Sequence, residues 1–347
     1  NLEHYAKIIR DKATLRRLLD AADRIKEIAC LPDVSIEEIS DQAEGALFSI
    51  TERNLSRTDE EMKKIVVRTF TLIQNMKSGK LTGLKTGFTD FDEMTSGLQG
   101  GQLVVIAARP GIGKTSFALN LAMNASKISD KPIMIFSLEM QKEELCMRML
   151  CSESRVENFK LKHGLIGQKD VSRLSQTAQL LYNSNMIIDD KPNITVTEVR
   201  SKARRIKNEK GDLGLIILDY IQLVDGPPDI KRENRYAIIS EVSRGLKYLA
   251  KELNVPVIAL SQLSRKIEDR TDRRPLLSDL RESGQIEQDA DIVAFIHRKI
   301  YYSQNDEEKN EAELIIGKHR GGAQGTIKLH FTGDYTRFDN ASSRKEA

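Results

Sequence analysis

The chain lacks most of the features that mark secreted, metal-binding or membrane-spanning proteins. Its 347 residues include no tryptophan, 5% aromatic residues and three cysteines. Cys30, Cys146 and Cys151 have no metal-ligand spacing, so we expect buried free thiols rather than disulfides or a zinc site. No apolar run approaches the ~18 residues that span a bilayer, and no signal-peptide pattern opens the sequence. These absences predict a cytoplasmic protein without a membrane partner.

A strong charge of either sign is also absent. The chain carries 54 basic and 51 acidic residues, so its formal net charge of +3 does not by itself indicate nucleic-acid binding. Any such function would require local patches of charge. With 39% hydrophobic and 30% charged residues the composition is that of an ordinary globular protein, and the length allows about two domains.

The N-terminal part of the chain is predicted to be helical. Apolar residues at helical spacing predict a helical hairpin over residues 1–50. Residues 51–83 form a linker around an amphipathic helix over 58–77, whose apolar stripe contains Met62, Ile65, Val66, Phe70 and Ile73. The stripe packs either on its own domain or on a neighbouring subunit, and the sequence does not decide between these alternatives.

Residues 84–347 alternate short apolar runs with helical stretches. The predicted strands are Leu103–Ala107, Ile133–Ser137, Met186–Ile188, Leu215–Leu218, Val255–Leu260, Ile292–Ile296 and Leu314–Ile316. Such alternation predicts an α/β fold with a mostly parallel sheet covered on both faces. Ligands of such a sheet bind at the carboxyl ends of its strands.

The stretch ARPGIGKT, residues 108–115, lies between a predicted strand and a predicted helix. This order is typical of a phosphate-binding loop, in which backbone N–H groups and the helix N-terminus face the anion. Lys114 would reach the β- and γ-phosphates and the Thr115 hydroxyl would ligate Mg²⁺. The alternative is a glycine-containing turn with a surface lysine. We predict ATP binding by Arg109, Gly111, Gly113, Lys114, Thr115 and Ser116.

Three further polar residues follow predicted strands. Asp219 ends the apolar run LGLIILD, where a carboxylate would lie beside the Mg²⁺ of a bound triphosphate. Because Tyr220 follows it, the base that activates water must come from elsewhere, and Glu139 in SLEM is the candidate. Gln262 in SQLSR is a candidate sensor of the γ-phosphate. The alternatives are a helix-capping acid at Glu139 and strand-end hydrogen bonding at Gln262.

Two basic stretches follow Gln262. The long loop that begins at Ser264 mixes cations with acids and contains no aromatic residue, so it is either a solvated loop or a surface that contacts a nucleic-acid backbone. Near the C-terminus Lys318 and Arg320 lie one residue apart at a strand end, where they could act on a phosphate of an adjacent subunit.

These motifs together resemble the replicative DnaB-type helicases of bacteria and their phages. The resemblance covers almost the whole chain and rests on ARPGIGKT, SLEM, LDYIQL, SQLSR, LRESGQIEQDADIV and KHRGGAQG in this order. The amphipathic helix resembles the family's linker helix, and residues 1–50 resemble the last helices of its N-terminal domain.

The resemblance implies a homo-hexameric ring with a RecA-like ATPase domain that moves 5′ to 3′ on single-stranded DNA and unwinds forked DNA. It implies ATP and Mg²⁺ as ligands, primase and a helicase loader as partners, and the cytoplasm of a bacterium or of a phage host. Arg281, Glu282 and Gly284 would contact DNA, whereas Lys318 and Arg320 would act in trans. A RecA-like recombinase and a ring that only regulates partner binding remain as alternatives.

Overall fold

The computed structural model describes residues 2–30, 39, 43, 62–77, 82–226, 230, 234–280, 284–301 and 309–341. The chain divides into two compact units, Asn1–Lys77 and Ser78–Ala347. In the first unit, helix α1 spans Leu2–Ala29 and helix α2 spans Met62–Lys77. The second helix predicted within residues 1–50 lies outside the described residues, except for Ile39 and Ala43, which are both helical.

The second unit alternates helices and strands. In chain order they are α3 (Thr89–Thr95), β1 (Leu103–Ala108), α4 (Lys114–Ile128), β2 (Ile133–Ser137), α5 (Lys142–Ser154), α6 (Asn158–Lys162), α7 (Gln168–Tyr182), β3 (Met186–Asp189), α8 (Val196–Lys210), β4 (Leu215–Asp219), α9 (Arg235–Leu253), β5 (Val257–Gln262), α10 (Gly284–Asp289), β6 (Ile292–His297), β7 (Glu311–His319), β8 (Gly325–Thr332) and β9 (Arg337–Asn340). The seven predicted strands are all present, although β7 is longer than predicted.

One sheet with the strand order β3-β2-β4-β5-β1-β6-β7-β8-β9 organises this unit. The strands from β3 to β6 in this order run parallel, and β7, β8 and β9 continue the sheet in antiparallel fashion. The predicted α/β class with a mostly parallel sheet is therefore confirmed. Because β1, β2, β4 and β5 are parallel, their carboxyl ends meet at one edge of the sheet.

The core forms two apolar layers, one on each face of the sheet. Along β1, Val104 and Ile106 belong to one layer, whereas Leu103 and Val105 belong to the other. Successive side chains of a strand point to opposite faces, so a strand covered on both sides has an uninterrupted apolar sequence. Full burial of each such side chain contributes about 1.5–3 kcal/mol, which holds the strand ends in place.

Two further observations bear on the predictions from composition. No helix of the described ranges is long and apolar enough to cross a membrane. The prediction of buried thiols is correct for Cys151 but wrong for Cys30 and Cys146, which are exposed. Cys146 lies on α5 outside the face that Leu145 and Met149 bury against the core.

Candidate nucleotide site

The phosphate-binding loop connects the last residue of β1 to the first residue of α4. Gly111 and Gly113 have positive φ angles of 79° and 114°. A Cβ atom at Gly113 would also lie 3.0 Å from the ring of Phe338. Both positions therefore require glycine, because a side chain would be strained at these angles. The sequence between the sheet and the helix thus folds into the turn that the motif predicts.

Lys114 and Thr115 both contact Asp219 at the end of β4. The Lys114 ammonium lies 3.2 Å from Asp219 Oδ1, and the Thr115 hydroxyl donates to Asp219 Oδ2 at 2.6 Å. The Lys114 Nζ also lies 3.9 Å from the ring centroid of Tyr220. Burial lowers the pKa of Lys114, while the charges of Asp219 and Glu139 oppose this shift. The arrangement places an ammonium, a hydroxyl and a buried carboxylate at one point.

Glu139 follows β2 and is exposed at the same edge of the sheet. The backbone beside it is fixed, because the Leu138 N–H donates to the Asp219 carbonyl at 2.8 Å. The charge of Glu139 acts on Lys114, as described above, and it helps burial to raise the pKa of Tyr220. Glu139 is therefore close enough to the phosphate-binding loop to interact with it electrostatically.

Gln262 ends β5 and pairs in register with Ala108, directly before the phosphate-binding loop. Its backbone N–H donates to Oε1 of Gln222 at 3.2 Å, and Nε2 of Gln222 donates to the Ser261 hydroxyl at 3.0 Å. Gln222 thus holds the end of β5. The sequence analysis missed this role, although Gln222 is a polar residue within the quoted motif LDYIQL.

A cleft of about 280 Å³ brings the predicted residues together. Its lining includes Arg109, Gly111, Gly113, Lys114, Thr115, Ser116, Glu139 and Gln262. It also includes Arg148 from α5, Phe331 from β8 and Thr336, which the sequence analysis did not find. These three come from distant parts of the chain and belong to no local motif, so the sequence carried no signal for them.

Arg109 lines the cleft, but its guanidinium group binds protein atoms. Its Nε and Nη2 donate to Glu268 Oε1 at 3.0 and 2.6 Å, and its Nη1 donates to the Leu263 carbonyl at 3.1 Å. The predicted nucleotide contact of this side chain is not tested by these bonds. They do connect the phosphate-binding loop to the chain that follows β5.

Lys318 and Arg320 lie away from the cleft. The Lys318 ammonium donates to the Glu287 carbonyl, and the Arg320 guanidinium donates to the Gln288 carbonyl, both near the C-terminal end of α10. The Arg320 N–H bonds the Asp291 carbonyl at 2.8 Å, and the Asp291 N–H bonds the carbonyl of Leu103 at 2.9 Å. Arg320 is therefore beside the start of β1, whereas the phosphate-binding loop follows its end. Burial is the largest cause that lowers the pKa of Lys318.

Two of the three predicted DNA contacts, Arg281 and Glu282, lie outside the described residues. Gly284 is the first residue of α10. No described atom lies within 4 Å of the position that a Cβ atom would take at Gly284. The predicted long loop is also more structured than expected, since it contains two 3₁₀ turns, Arg265–Asp269 and Leu277–Asp279, and α10.

Comparisons with known proteins agree with the site and the fold. The family model for the DnaB-like helicase C terminal domain matches residues 83–340. Replicative DNA helicase DnaC of Bacillus subtilis is 45% identical over 346 residues, which are 99% of this chain and 76% of that protein. Replicative DNA helicase DnaB of Pasteurella multocida is 44% identical over 356 residues and covers 100% of this chain and 76% of its own length.

Solved structures agree as well. The structure of a DnaB-like replicative helicase, described with its interactions with primase, matches with a TM-score of 0.83 and 36% identity over 98% of this chain and 79% of that one. A second solved structure, an isolated ATPase domain, matches with a TM-score of 0.77 and 41% identity over 82% of this chain and 100% of that one. The chain therefore belongs to the family of DnaB-like, ATP-dependent replicative DNA helicases.

Proposed function

We propose that the chain acts as a homo-hexameric ring that hydrolyses ATP between subunits, moves 5′ to 3′ on single-stranded DNA and separates the duplex at a fork. The observation that supports this most directly is the division of the predicted catalytic groups. Lys114, Glu139 and Gln262 line one cleft, while Lys318 and Arg320 lie at the opposite edge of the sheet. A site built from both sets requires two subunits.

Within one subunit the cleft has groups suited to a triphosphate. Backbone N–H groups of the loop and the Lys114 ammonium bind the phosphates, and Glu139 orients and deprotonates the attacking water. Gln262 senses the γ-phosphate from the end of β5. The neighbouring subunit's Lys318 and Arg320 would stabilise the charge that develops during transfer.

Mg²⁺ fits the Thr115 hydroxyl and the Asp219 carboxylate. Asp219 is 3% exposed, and its Oδ1 atom has no hydrogen bond of good geometry among the described residues, although Lys114 lies near it. Oxygen ligands of this kind suit Mg²⁺, which usually takes its remaining ligands from water and phosphate. When bound, the ion neutralises charge on the phosphate oxygens. No group of three or more His, Cys, Asp or Glu among the described residues offers an alternative site.

The position of Arg320 supports its action in trans. Arg320 lies beside Leu103 at one end of β1, and the phosphate-binding loop follows Ala108 at the other end. A strand rises about 3.3 Å per residue, so the length of β1 puts roughly 20 Å between them. An arginine side chain cannot cover this distance within its own subunit.

The proposed partners follow from the same family. DNA enters through the residues predicted to contact it, Arg281, Glu282 and Gly284, and primase and a helicase loader bind the ring. One matching helicase has been solved with its primase interactions as the subject, which supports primase as a partner of this chain. We also infer that residues 1–50 belong to an N-terminal domain, residues 51–83 form the linker and residues 84–347 form the ATPase domain.

A forked-DNA unwinding assay tests the proposal. A duplex with a free 5′ single-stranded arm should be separated in the presence of ATP and Mg²⁺, and a duplex with only a 3′ arm should not. ATP hydrolysis that DNA stimulates without any strand separation would contradict it and would indicate a regulatory ATPase. Filaments on DNA in electron micrographs would indicate a recombinase.

Replacing Glu139 with glutamine should leave ATP bound but nearly unhydrolysed. Only the activation of water is lost, and a positioned general base contributes about 10²–10⁴ in rate. Glu143→Gln is a matched control, because Glu143 is an exposed carboxylate in the first turn of α5. Nucleotide affinity and single-turnover hydrolysis should be measured on both variants. Parental turnover by Glu139→Gln would show that the base is another group.

Replacing Ile65 and Phe70 with aspartate should shift the oligomer toward monomer. On α2 the stripe members Met62, Val66, Phe70 and Ile73 are exposed in their own unit. Burying each side chain of this size against a neighbour would contribute about 1.5–3 kcal/mol at every interface of a ring. Light scattering gives the mass, with Gln74→Asp as the control for the added charge. An unchanged mass would mean that the stripe does not hold subunits together.

A further inference from the structure

Residues 263–280, called here the connecting segment, join the end of β5 to the predicted DNA contacts. The segment is strongly charged, and its sequence is compatible with a solvated surface loop. In the structure it is anchored instead. Ile267 is fully buried, and the Leu263 N–H donates to the Ala108 carbonyl at 3.1 Å. The segment therefore begins as an extension of the pairing between β5 and β1.

Its first ionic anchor is the phosphate-binding loop. As described above, the Arg109 guanidinium binds the Glu268 carboxylate through two nitrogens and the Leu263 carbonyl through the third. The Arg109 side chain is 9% exposed, so this cation is removed from solvent and depends on these partners. A displacement of the loop that carries Arg109 must therefore act directly on Glu268.

The second anchor closes the segment on itself. Arg270 Nη2 donates to Asp279 Oδ2 at 2.7 Å and to the Arg274 carbonyl at 2.8 Å. Asp279 is 5% exposed, and its carboxylate also accepts the Leu276 N–H at 2.8 Å. The Asp279 carbonyl accepts the Ser264 N–H at 3.0 Å, which joins the end of the segment to its beginning.

A third contact ties the middle of the segment to the sheet, since Arg274 Nη2 lies 2.8 Å from Glu313 Oε2 on β7. The chain then continues through the buried Leu280 to Arg281. A continuous series of ionic contacts thus runs from Arg109 in the nucleotide cleft to a point two residues before the first predicted DNA contact.

We propose that Glu268, Arg270 and Asp279 are positioning residues that couple the nucleotide cleft to the DNA-contacting residues 281–284. The inference rests on the proposed function and names the regulation of that site. Nucleotide binding alters the position or charge environment of Arg109, Glu268 carries this change into the connecting segment, and the Arg270–Asp279 pair passes it to the chain beyond Leu280. None of the three positioning residues touches nucleotide or DNA.

The test measures coupling rather than activity. With the full chain, the affinity for a labelled single-stranded oligothymidylate is measured with ADP and with the non-hydrolysable analogue adenylyl imidodiphosphate. The ratio of the two affinities is the coupling factor, and such factors are typically about 5–150-fold. In Glu268→Gln and in Arg270→Ala the ratio should fall toward one. By linkage, the effect of DNA on nucleotide affinity should fall by the same factor.

Two controls separate coupling from damage to the fold. Asp269→Asn removes an exposed carboxylate next to Glu268 and should retain the parental ratio. Arg270→Lys keeps a cation opposite Asp279 and should retain more of the ratio than Arg270→Ala. A segment that serves only stability would lower the melting temperature in these variants without changing the ratio.

A parental ratio in Glu268→Gln and Arg270→Ala would overturn the coupling while leaving the proposed function intact. A parental protein whose DNA affinity does not depend on nucleotide at all would contradict the proposed function and, with it, the coupling. Asp279→Asn gives an independent arm, because it keeps the size of the side chain and removes only its charge. It should lower the ratio in the same direction.

Discussion

Replacing Lys114 with alanine should abolish ATP hydrolysis and weaken nucleotide binding. The ammonium is the charge that the cleft offers to the β- and γ-phosphates, and loss of one group that stabilises transition-state charge costs about 10²–10³ in turnover. The loss here should be larger, because the substitution also leaves the buried Asp219 without the cation 3.2 Å from it. Steady-state ATPase rates and equilibrium binding of a fluorescent ATP analogue measure the two effects.

The same variant should be less stable in the absence of nucleotide. Breaking a buried ion pair by removing one partner costs about 3–5 kcal/mol. Lys131→Ala is the matched control, since Lys131 pairs with Asp212 at the surface, where ion pairs contribute about 0–1 kcal/mol. Thermal unfolding of both variants compares the two pairs. A Lys114→Ala protein with parental turnover would show that the cleft is not the hydrolytic site.

The parallel strands were predictable because burial on both faces leaves an uninterrupted apolar run. The strand LIILD, Leu215–Asp219, is entirely buried and could be recognised from its sequence. In β8 every second residue is more exposed than its neighbours, because one face of this antiparallel part is open to solvent. A short alternating run of this kind resembles many loop sequences, and neither β8 nor β9 was predicted as a strand.

The candidate site divides in the same way between local and distant relations. The glycines, lysine and threonine of the phosphate-binding loop constrain one another over a few residues, so their spacing is informative. Arg109 and Glu268 are 159 positions apart. No local pattern indicates that pair, and the charge of Glu268 within a mixed stretch was equally compatible with a solvated surface. Only the pairing of β5 with β1 brings the two side chains together.

The position of Arg320 was predicted only in part. The sequence placed it at a strand end, and the structure places it just beyond β7, on the edge where β1 begins. The predicted strand was shorter than the observed one, because the half-buried polar residues of β7 interrupt its apolar pattern. The direction of β7 follows from its antiparallel pairing with β6, which a strand prediction does not contain. That direction is what separates Arg320 from its own phosphate-binding loop.

Replacing Arg320 with alanine should lower ATP turnover by about 10³–10⁵ and leave ATP binding largely intact, as expected for a cation that acts on the transition state from another subunit. Within its own subunit Arg320 contacts the Gln288 carbonyl and lies 3.7 Å from Asp291 Oδ1. About half of its side chain is exposed, so its loss should cost little stability. Lys328→Ala, which removes an exposed cation of β8, is the control.

Mixed rings distinguish action in trans from action in cis. Lys114→Ala and Arg320→Ala proteins are each expected to be inactive alone. In a co-assembled ring, an intact phosphate-binding loop of an Arg320→Ala subunit can meet an intact Arg320 from a Lys114→Ala neighbour. Turnover should therefore return in the mixture, with a maximum near equal amounts, if interfaces act independently. If Arg320 served its own subunit, every site would lack one group and no mixing ratio would restore hydrolysis.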